Sequence, residues 1–250
     1  MKPKQTVVFL HGWGMNANIW QPFFDSAQDM QFETIAIDLP GYGEHRQYEN
    51  ESKTLQSMAK FIDRCIKTEC VILGWSLGGL VAKLLAHSNP AKYRKVITVC
   101  SSPFFIEDND WVGMKSKVLR FFAEELVIDH NQLLRRFVAI QTMGLADALV
   151  QNKLIVKHVF KHEPPSNEVL KNGLLILEKE DVRSHTAEIN VPHLAVFGKL
   201  DSLVPKAAIS KIAELNENMQ VVTFDKASHA PFLSHPESFL QTLQQFVDNP

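Results

Sequence analysis

The sequence has little cysteine and little net charge. Its three cysteines, Cys65, Cys70 and Cys100, lie in apolar or helical segments and lack the spacing of metal ligands. A disulfide framework or a zinc cluster is therefore not expected. The formal net charge of -2 over 250 residues argues against a nucleic-acid-binding protein. We expect reduced thiols, no metal, no cofactor and no nucleic-acid partner.

Long hydrophobic runs are also missing. No stretch approaches the roughly 20 apolar residues that a membrane span needs. Met1 to Lys4 lead directly into a strand-like segment and not into the core of a signal peptide. We therefore expect a cytoplasmic protein without a membrane partner, and the length suits one α/β domain with an insertion.

Six apolar runs of strand length alternate with helical patterns in this chain. They cover residues 6–10, 34–38, 70–74, 96–100, 194–198 and 221–224. Such alternation predicts the α/β class, with a mostly parallel central sheet and helices on both faces. Residues 111–183 show only helical periodicity and a Pro164-Pro165 break, which predicts a helical cap inserted after the fourth strand. Residues 1–110 and 184–250 would then form the core.

Ser76 lies between a short apolar strand and a helical pattern, with Gly74 and Gly78 two residues away on either side. This G-x-S-x-G arrangement is typical of a nucleophile elbow, a sharp turn that lifts a serine hydroxyl above a sheet. Glycine is required because the strained turn leaves no room for side chains at those positions. A match of five residues alone fits a simple packing turn equally well. It indicates a hydrolase only if the sequence also carries the other catalytic groups.

The ends of three other predicted strands carry the remaining groups. The first strand ends in His11-Gly12-Trp13-Gly14, which predicts an oxyanion hole formed by the backbone N–H groups of Trp13 and Leu77. Asp201 and His229 follow the two last strands. The order serine, aspartate, histidine is the one found in α/β hydrolases, so we predict Ser76 as nucleophile, His229 as base and Asp201 as the acid that orients it. Asp225 is the nearest rival carboxylate.

Together these residues carry a family resemblance over nearly the whole chain. The segments HGWGMN, DLPGYG, GWSLGGL, SSPFF, FVAIQTMG, NGLLILEKEDVR, GKLDSLVP and SHAPFLSHP resemble the pimeloyl-acyl-carrier-protein methyl ester carboxylesterases of biotin synthesis. The resemblance implies the α/β-hydrolase fold and removal of the methyl group from pimeloyl-acyl carrier protein, with no cofactor. Within this family pattern, the residues expected to contact substrate are Trp13, Trp75, Ser76, Leu77, Phe137, Val138, Ala139, Ile140, Gln141 and His229.

The predicted cap carries a local positive charge. Residues 115–161 contain eight lysines and arginines against four acidic residues, and Lys153, Lys157 and Lys161 recur every four residues. Acyl carrier proteins are acidic, so the resemblance implies a docking surface that includes Arg136, Lys153 and Lys157. Gln132 and Leu149 stand where the resemblance leads us to look for arginine. We expect a monomer.

Two other classes of function stay open at this point. A different hydrolase of the same fold, such as a small-ester hydrolase, a lactonase or a carbon–carbon bond hydrolase, would keep the three catalytic residues without needing a basic cap. A non-catalytic binding protein would tolerate the loss of any one of them, and all three are present.

Overall fold

The computed structural model describes residues 4–27 and 29–249; the residues on which the prediction about a signal peptide depends lie partly outside these ranges. Six strands are present in the described residues. They are β1 (Thr6–Leu10), β2 (Glu33–Ile37), β3 (Cys70–Trp75), β4 (Tyr93–Val99), β5 (His193–Gly198) and β6 (Met219–Phe224). Each overlaps a predicted run, and the bounds differ by three residues at most, at the start of β4.

The strands form one sheet in the order β2-β1-β3-β4-β5-β6. All five pairings between the described strands are parallel. The sequence predicts a mostly parallel sheet, and the described strands include no antiparallel one. β3 and β5 are buried along their whole length, as apolar strands covered on both faces must be. Because all strands run the same way, their carboxyl ends meet at one edge of the sheet.

Eleven α-helices accompany the sheet in the described residues. They are α1 (Gln21–Ser26), α2 (Leu55–Cys65), α3 (Leu77–Ser88), α4 (Ser116–Ile128), α5 (His130–Gln141), α6 (Ala148–Val159), α7 (Asn167–Lys179), α8 (Arg183–Ala187), α9 (Ala208–Ala213), α10 (Pro231–Ser234) and α11 (Pro236–Asp248). Apart from two isolated β-bridges, Ile106 with Met114 and Asp108 with Trp111, the regular structure between β4 and β5 is helical, in agreement with the sequence pattern. The division of this segment from the core as a separate cap stays a prediction.

Side chains of β4 show that helices cover both faces. Lys95 donates hydrogen bonds from Nζ to the carbonyl oxygens of Phe246 and Val247 at the end of α11, at 3.0 and 2.8 Å. Three residues later, Thr98 Oγ1 lies 3.2 Å from His193 Nε2, beside α3. Residues three apart on a strand point to opposite faces, so α11 and α3 lie on opposite sides of the sheet.

Within the described ranges, no helix combines the length and the apolar character that crossing a bilayer requires. The three cysteines are free thiols.

Candidate active site

Ser76 forms a strained turn between β3 and α3. Its φ of 54° and ψ of -117° lie in a region that residues with a side chain rarely adopt. A Cβ on Gly74 would lie 2.1 Å from the carbonyl oxygen of Gly78, and a Cβ on Gly78 would lie 2.5 Å from that of His11. The two glycines are therefore required by close backbone contacts, and the turn holds a buried serine at the carboxyl edge of the sheet.

Asp201 and His229 lie on the loops after β5 and β6 and contact each other directly. Asp201 Oδ2 is 2.7 Å from His229 Nδ1, while Oδ1 accepts the backbone N–H groups of Leu203 at 2.8 Å and Val204 at 3.1 Å. With its carboxylate so engaged, Asp201 fixes the tautomer in which Nδ1 carries the proton. The indole N–H of Trp75, the residue before Ser76, donates to the carbonyl oxygen of His229 at 2.8 Å.

The second ring nitrogen of His229, Nε2, takes no part in the hydrogen bond with Asp201. Nε2 is buried and has no hydrogen-bond partner in the described part of the chain, so no hydrogen bond joins it to Ser76 in this structure. A buried imidazole nitrogen that carries a lone pair can accept a proton. Apo active sites commonly show such loose contacts, which tighten when substrate binds.

Asp225 is placed away from this pair. Its carboxylate lies 2.6 Å from Lys199 Nζ, and its side chain is largely exposed. The hydrogen bond from Lys199 is the main cause that lowers the pKa of Asp225.

The loop after β1 lies directly beside the serine. A Cβ on Gly12 would lie 3.1 Å from Ser76 Cβ, so the loop backbone approaches the turn as closely as sterics permit. His11 holds the loop in place, since its Nε2 accepts the N–H of Leu39 at 2.9 Å and its Nδ1 lies 2.8 Å from the carbonyl oxygen of Gly12. Among the described residues, the backbone N–H groups of Trp13 and Leu77 donate to no protein group, so both are available to a ligand oxygen.

A small apolar cavity, with an open volume of about 10 Å³, lies next to Ser76. Every lining residue is buried, and Ser76 supplies the one hydroxyl among otherwise apolar side chains. The cavity is lined by Trp13, Ser76, Phe105, Met114, Leu119, Phe122, Phe137, Leu174, Leu177 and Leu203. Such a wall suits a flexible hydrocarbon chain and offers nothing to a charged group.

Comparison with known proteins places this chain in a family. Residues 5–236 match the model of the alpha/beta hydrolase fold family. The pimeloyl-(acyl-carrier protein) methyl ester esterase of Sodalis glossinidius (strain morsitans) is 39% identical over 240 residues, which cover 96% of this chain and 92% of the relative. The protein of the same name from Aeromonas hydrophila subsp. hydrophila is 37% identical over 241 residues, covering 96% and 94%.

The chain belongs to the pimeloyl-(acyl-carrier protein) methyl ester esterase family of α/β hydrolases.

Solved structures agree on the fold. An esterase from Exiguobacterium antarcticum superposes with a TM-score of 0.86 at 24% identity, covering 100% of this chain and 94% of the other. The enol-lactonase from Burkholderia xenovorans LB400 gives a TM-score of 0.78 at 17% identity, with 98% and 92% covered. At these identities the likeness concerns the α/β-hydrolase fold alone.

Of the residues that the family resemblance assigns to the substrate, some line the cavity beside Ser76 and others do not. Of the segment 137–141, only Phe137 reaches the cavity wall, because a helix turns neighbouring side chains away from any one face. Val138 and Gln141 are buried elsewhere, Ile140 is half-buried and Ala139 is exposed. Trp75 is buried against Trp20 and Phe232 and does not line the cavity. Most of the wall comes from residues whose helical spacing suggests ordinary core.

Of the residues proposed to dock a carrier protein, Lys153 and Lys157 are exposed on α6. Arg136 is also exposed, but it forms an ion pair with Glu125 of α4. The two lysines are therefore the more available cations of the set.

Two buried groups were not predicted from the sequence. Cys100, at the end of β4, has a φ of 46° and lies with Asp201 and His229 in a cluster whose potential ligand atoms are within 4.8 Å of one another. Burial, and next the neighbouring Asp201, raise the pKa of its thiol well above the usual value. The Asp201 carboxylate and His229 Nδ1 are already hydrogen-bonded to each other. The cluster is therefore poorly suited to hold a metal ion.

The other unforeseen group is Lys83, which is fully buried on α3. Its Nζ donates to the carbonyl oxygen of Ser101 at 3.2 Å and to Ser101 Oγ at 3.0 Å. Burial lowers the pKa of Lys83 to about 7. Burial, with Lys83 nearby, lowers the pKa of His193 to about 3.

Proposed function

We propose that this protein hydrolyses the methyl ester of a pimeloyl group carried by acyl carrier protein, through an acyl-enzyme on Ser76. The observation that carries the proposal is the strained Ser76 turn facing an enclosed apolar cavity, with the Asp201–His229 pair on the adjoining loops. Relatives that are 37–39% identical over 96% of the chain bear the name of this activity.

In the first step, Ser76 Oγ attacks the ester carbonyl carbon while His229 Nε2 takes the hydroxyl proton. The carbonyl oxygen becomes an oxyanion that accepts the N–H groups of Trp13 and Leu77. Asp201 stabilises the imidazolium that forms. Collapse of the intermediate breaks the bond to the methoxy oxygen, which takes the proton from His229 and leaves as methanol.

In the second step, water replaces the alcohol. His229 Nε2 takes a proton from the water as its oxygen attacks the acyl carbon, and the same two N–H groups hold the second oxyanion. Cleavage of the bond to Ser76 Oγ, with return of the proton to that oxygen, releases the free carboxylic acid. Over the two steps one ester and one water are consumed, methanol and the acid are released, and Ser76 is regenerated.

The apolar character of the cavity wall also supports this substrate class. A chain of methylenes gains about 0.8 kcal/mol for each CH₂ transferred from water to an apolar wall. The methyl ester is uncharged and fits the same wall, whereas the carboxylate product would be buried without a partner. This difference favours binding of the ester and release of the acid.

The acyl carrier protein itself would meet the surface of the cap helices. We propose that Lys153 and Lys157, with Arg136 nearby, attract its acidic surface and hold the acyl arm toward the cavity.

A serine replacement and a growth assay test this function. Ser76→Ala should lower ester hydrolysis by about 10⁴-fold or more while the protein stays folded, because removal of a nucleophile leaves only binding and oxyanion stabilisation. The wild-type chain should restore biotin-free growth to a bacterium that lacks its own esterase, and the Ser76→Ala chain should not. Equal turnover by the two proteins would refute the mechanism.

A broad small-ester hydrolase is the second candidate, and the absence of any charged group from the cavity wall favours it. This candidate predicts hydrolysis of short esters in vitro without rescue of growth. Activity on short esters together with rescue supports the carrier-bound substrate.

A further inference from the structure

The loop that offers the Trp13 N–H lies between the nucleophile and the helices that follow β4. On one side, Gly12 contacts Ser76, where a Cβ would come within 3.1 Å of the serine Cβ. On the other side, a Cβ on Gly14 would lie 2.8 Å from Leu134 of α5. The loop backbone therefore packs closely on both sides.

The indole of Trp13 spans one turn of α7. Its Nε1–H donates to the carbonyl oxygen of Leu170 at 2.8 Å. One turn later on the same face of α7, a Cβ on Gly173 would lie 2.5 Å from Trp13 Cδ1 and 3.0 Å from Nε1. Contacts under 3.0 Å do not occur between unbonded carbons, so a methyl group at position 173 must displace the indole.

The indole cannot move away without disturbing the loop. It is fully buried, it stacks on Phe122 with ring centroids 6.4 Å apart, and it meets Phe137 edge-to-face with ring centroids 4.8 Å apart. Protein interiors of this density transmit a displacement and do not absorb it. A shift of the side chain is therefore passed to the main chain of Trp13, where the N–H lies.

We propose that Gly173 is a positioning residue: its missing side chain lets α7 hold Trp13 so that the Trp13 N–H faces the oxygen of the reacting ester. This inference builds on the proposed serine-esterase function of Ser76. It assigns a role in the chemistry to a helix outside the strand-end loops that carry Ser76, Asp201 and His229.

The experiment uses the full-length chain and p-nitrophenyl butyrate, so that carrier docking plays no part. In Gly173→Ala, kcat should fall about 10- to 100-fold while KM changes by less than about threefold, since an oxyanion donor acts in the transition state. The rate at which a phosphonate inhibitor labels Ser76 should fall in parallel. Alanine favours a helix more than glycine does, so helix propensity does not explain a loss.

A second background shows whether the effect acts through Trp13. Trp13→Ala removes Cδ1 and Nε1 but keeps the main-chain N–H, so adding Gly173→Ala to it should lower kcat by less than about threefold further. Leu175→Ala, on the same helix but half-exposed and outside the cavity wall, is the matched control and should match wild type.

Three results overturn the proposal: an unchanged kcat in Gly173→Ala, an equal loss in the Trp13→Ala background, or a double variant that fails to fold where Trp13→Ala folds. If Gly173→Ala alone does not fold, the double variant decides, and it must fold and match Trp13→Ala. If Gly173→Ala matches wild type while Ser76→Ala is inactive, the role of Gly173 is rejected and the esterase mechanism stands.

Discussion

Replacement of Lys83 by methionine should stabilise the protein near neutral pH. The ammonium group is fully buried on α3, and its two hydrogen bonds go to Ser101, not to a carboxylate. Burial of a cation without a counter-charge is unfavourable, and this is why its pKa falls from 10.5 to about 7. Methionine has a similar length and no charge to desolvate.

The size of the effect follows from the two pKa values. In the unfolded chain the lysine is protonated up to about pH 10.5, whereas in the folded chain it loses the proton near pH 7. The unfolded state therefore binds more protons between these values, and folding near pH 7 is opposed by about 4 kcal/mol. Loss of two hydrogen bonds at Ser101 costs about 1 kcal/mol each. The net gain expected for Lys83→Met is about 2 kcal/mol at pH 7.

The pH dependence gives the sharper test. Stability of the wild type should rise from pH 7 toward pH 10.5 as the unfolded chain loses its proton, so the advantage of Lys83→Met should shrink by about 2 kcal/mol between pH 7 and pH 9. His193, the neighbouring titratable group, has a pKa of about 3 and stays neutral over this range. Urea unfolding followed by tryptophan fluorescence measures both proteins at both pH values. Lys60→Met, at an exposed lysine of α2, is the control.

The reasoning about Lys83 is refuted if Lys83→Met is less stable than wild type at pH 7. It is equally refuted if the difference between the two proteins is the same at pH 7 and pH 9.

Three further outcomes are expected. Asp201→Asn should lower kcat by about 10⁴-fold because it favours the wrong tautomer of His229. Asp225→Asn only breaks an exposed ion pair with Lys199 and should change kcat by less than about threefold. The reverse ranking would identify Asp225 as the acid. Lys153→Glu combined with Lys157→Glu should raise KM for a carrier-bound ester about tenfold or more at low salt and leave KM for a small ester unchanged. Lys60→Glu combined with Lys67→Glu makes the same change in charge on and after α2 and should leave KM for the carrier-bound ester unchanged. Equal effects of the two pairs would rule out a docking surface on α6. Gly74→Ala should lower the free energy of unfolding by more than about 3 kcal/mol because its Cβ would lie 2.1 Å from the Gly78 oxygen. Gly144→Ala, at a positive φ but with a Cβ in ordinary contact with Leu200 at 3.7 Å, should cost about 1 kcal/mol. Thermal melts that rank the two variants the other way would contradict the steric argument.

The sequence predicts the sheet and the strand-end groups well because both follow from local rules. Buried parallel strands need continuous apolar residues, and the glycines around Ser76 are dictated by contacts within a few residues of the turn. Asp201 and His229 meet because their strands are neighbours in a parallel sheet, and chain order alone indicates this.

The parts that the sequence does not predict depend on contacts between distant segments. Phe105, Met114 and Leu203 become cavity wall only through the way that the helices after β4 lie over the sheet. Lys83 looks like a surface residue of a helix until every neighbour from Leu77 to Ala86 is found buried. That signal is present in the sequence, since apolar residues surround Lys83 on all sides of the helix, and it favours burial.

The small, closed cavity has a consequence for binding equilibria. With every wall residue buried, a substrate can bind only to a conformation in which the helices after β4 have moved apart. The measured dissociation constant is then the intrinsic one divided by the population of that open form, so an open form populated at about 1% weakens binding about 100-fold. Substitutions that loosen the packing of α4 against α7 therefore tighten the apparent affinity for small esters without adding a single contact to them.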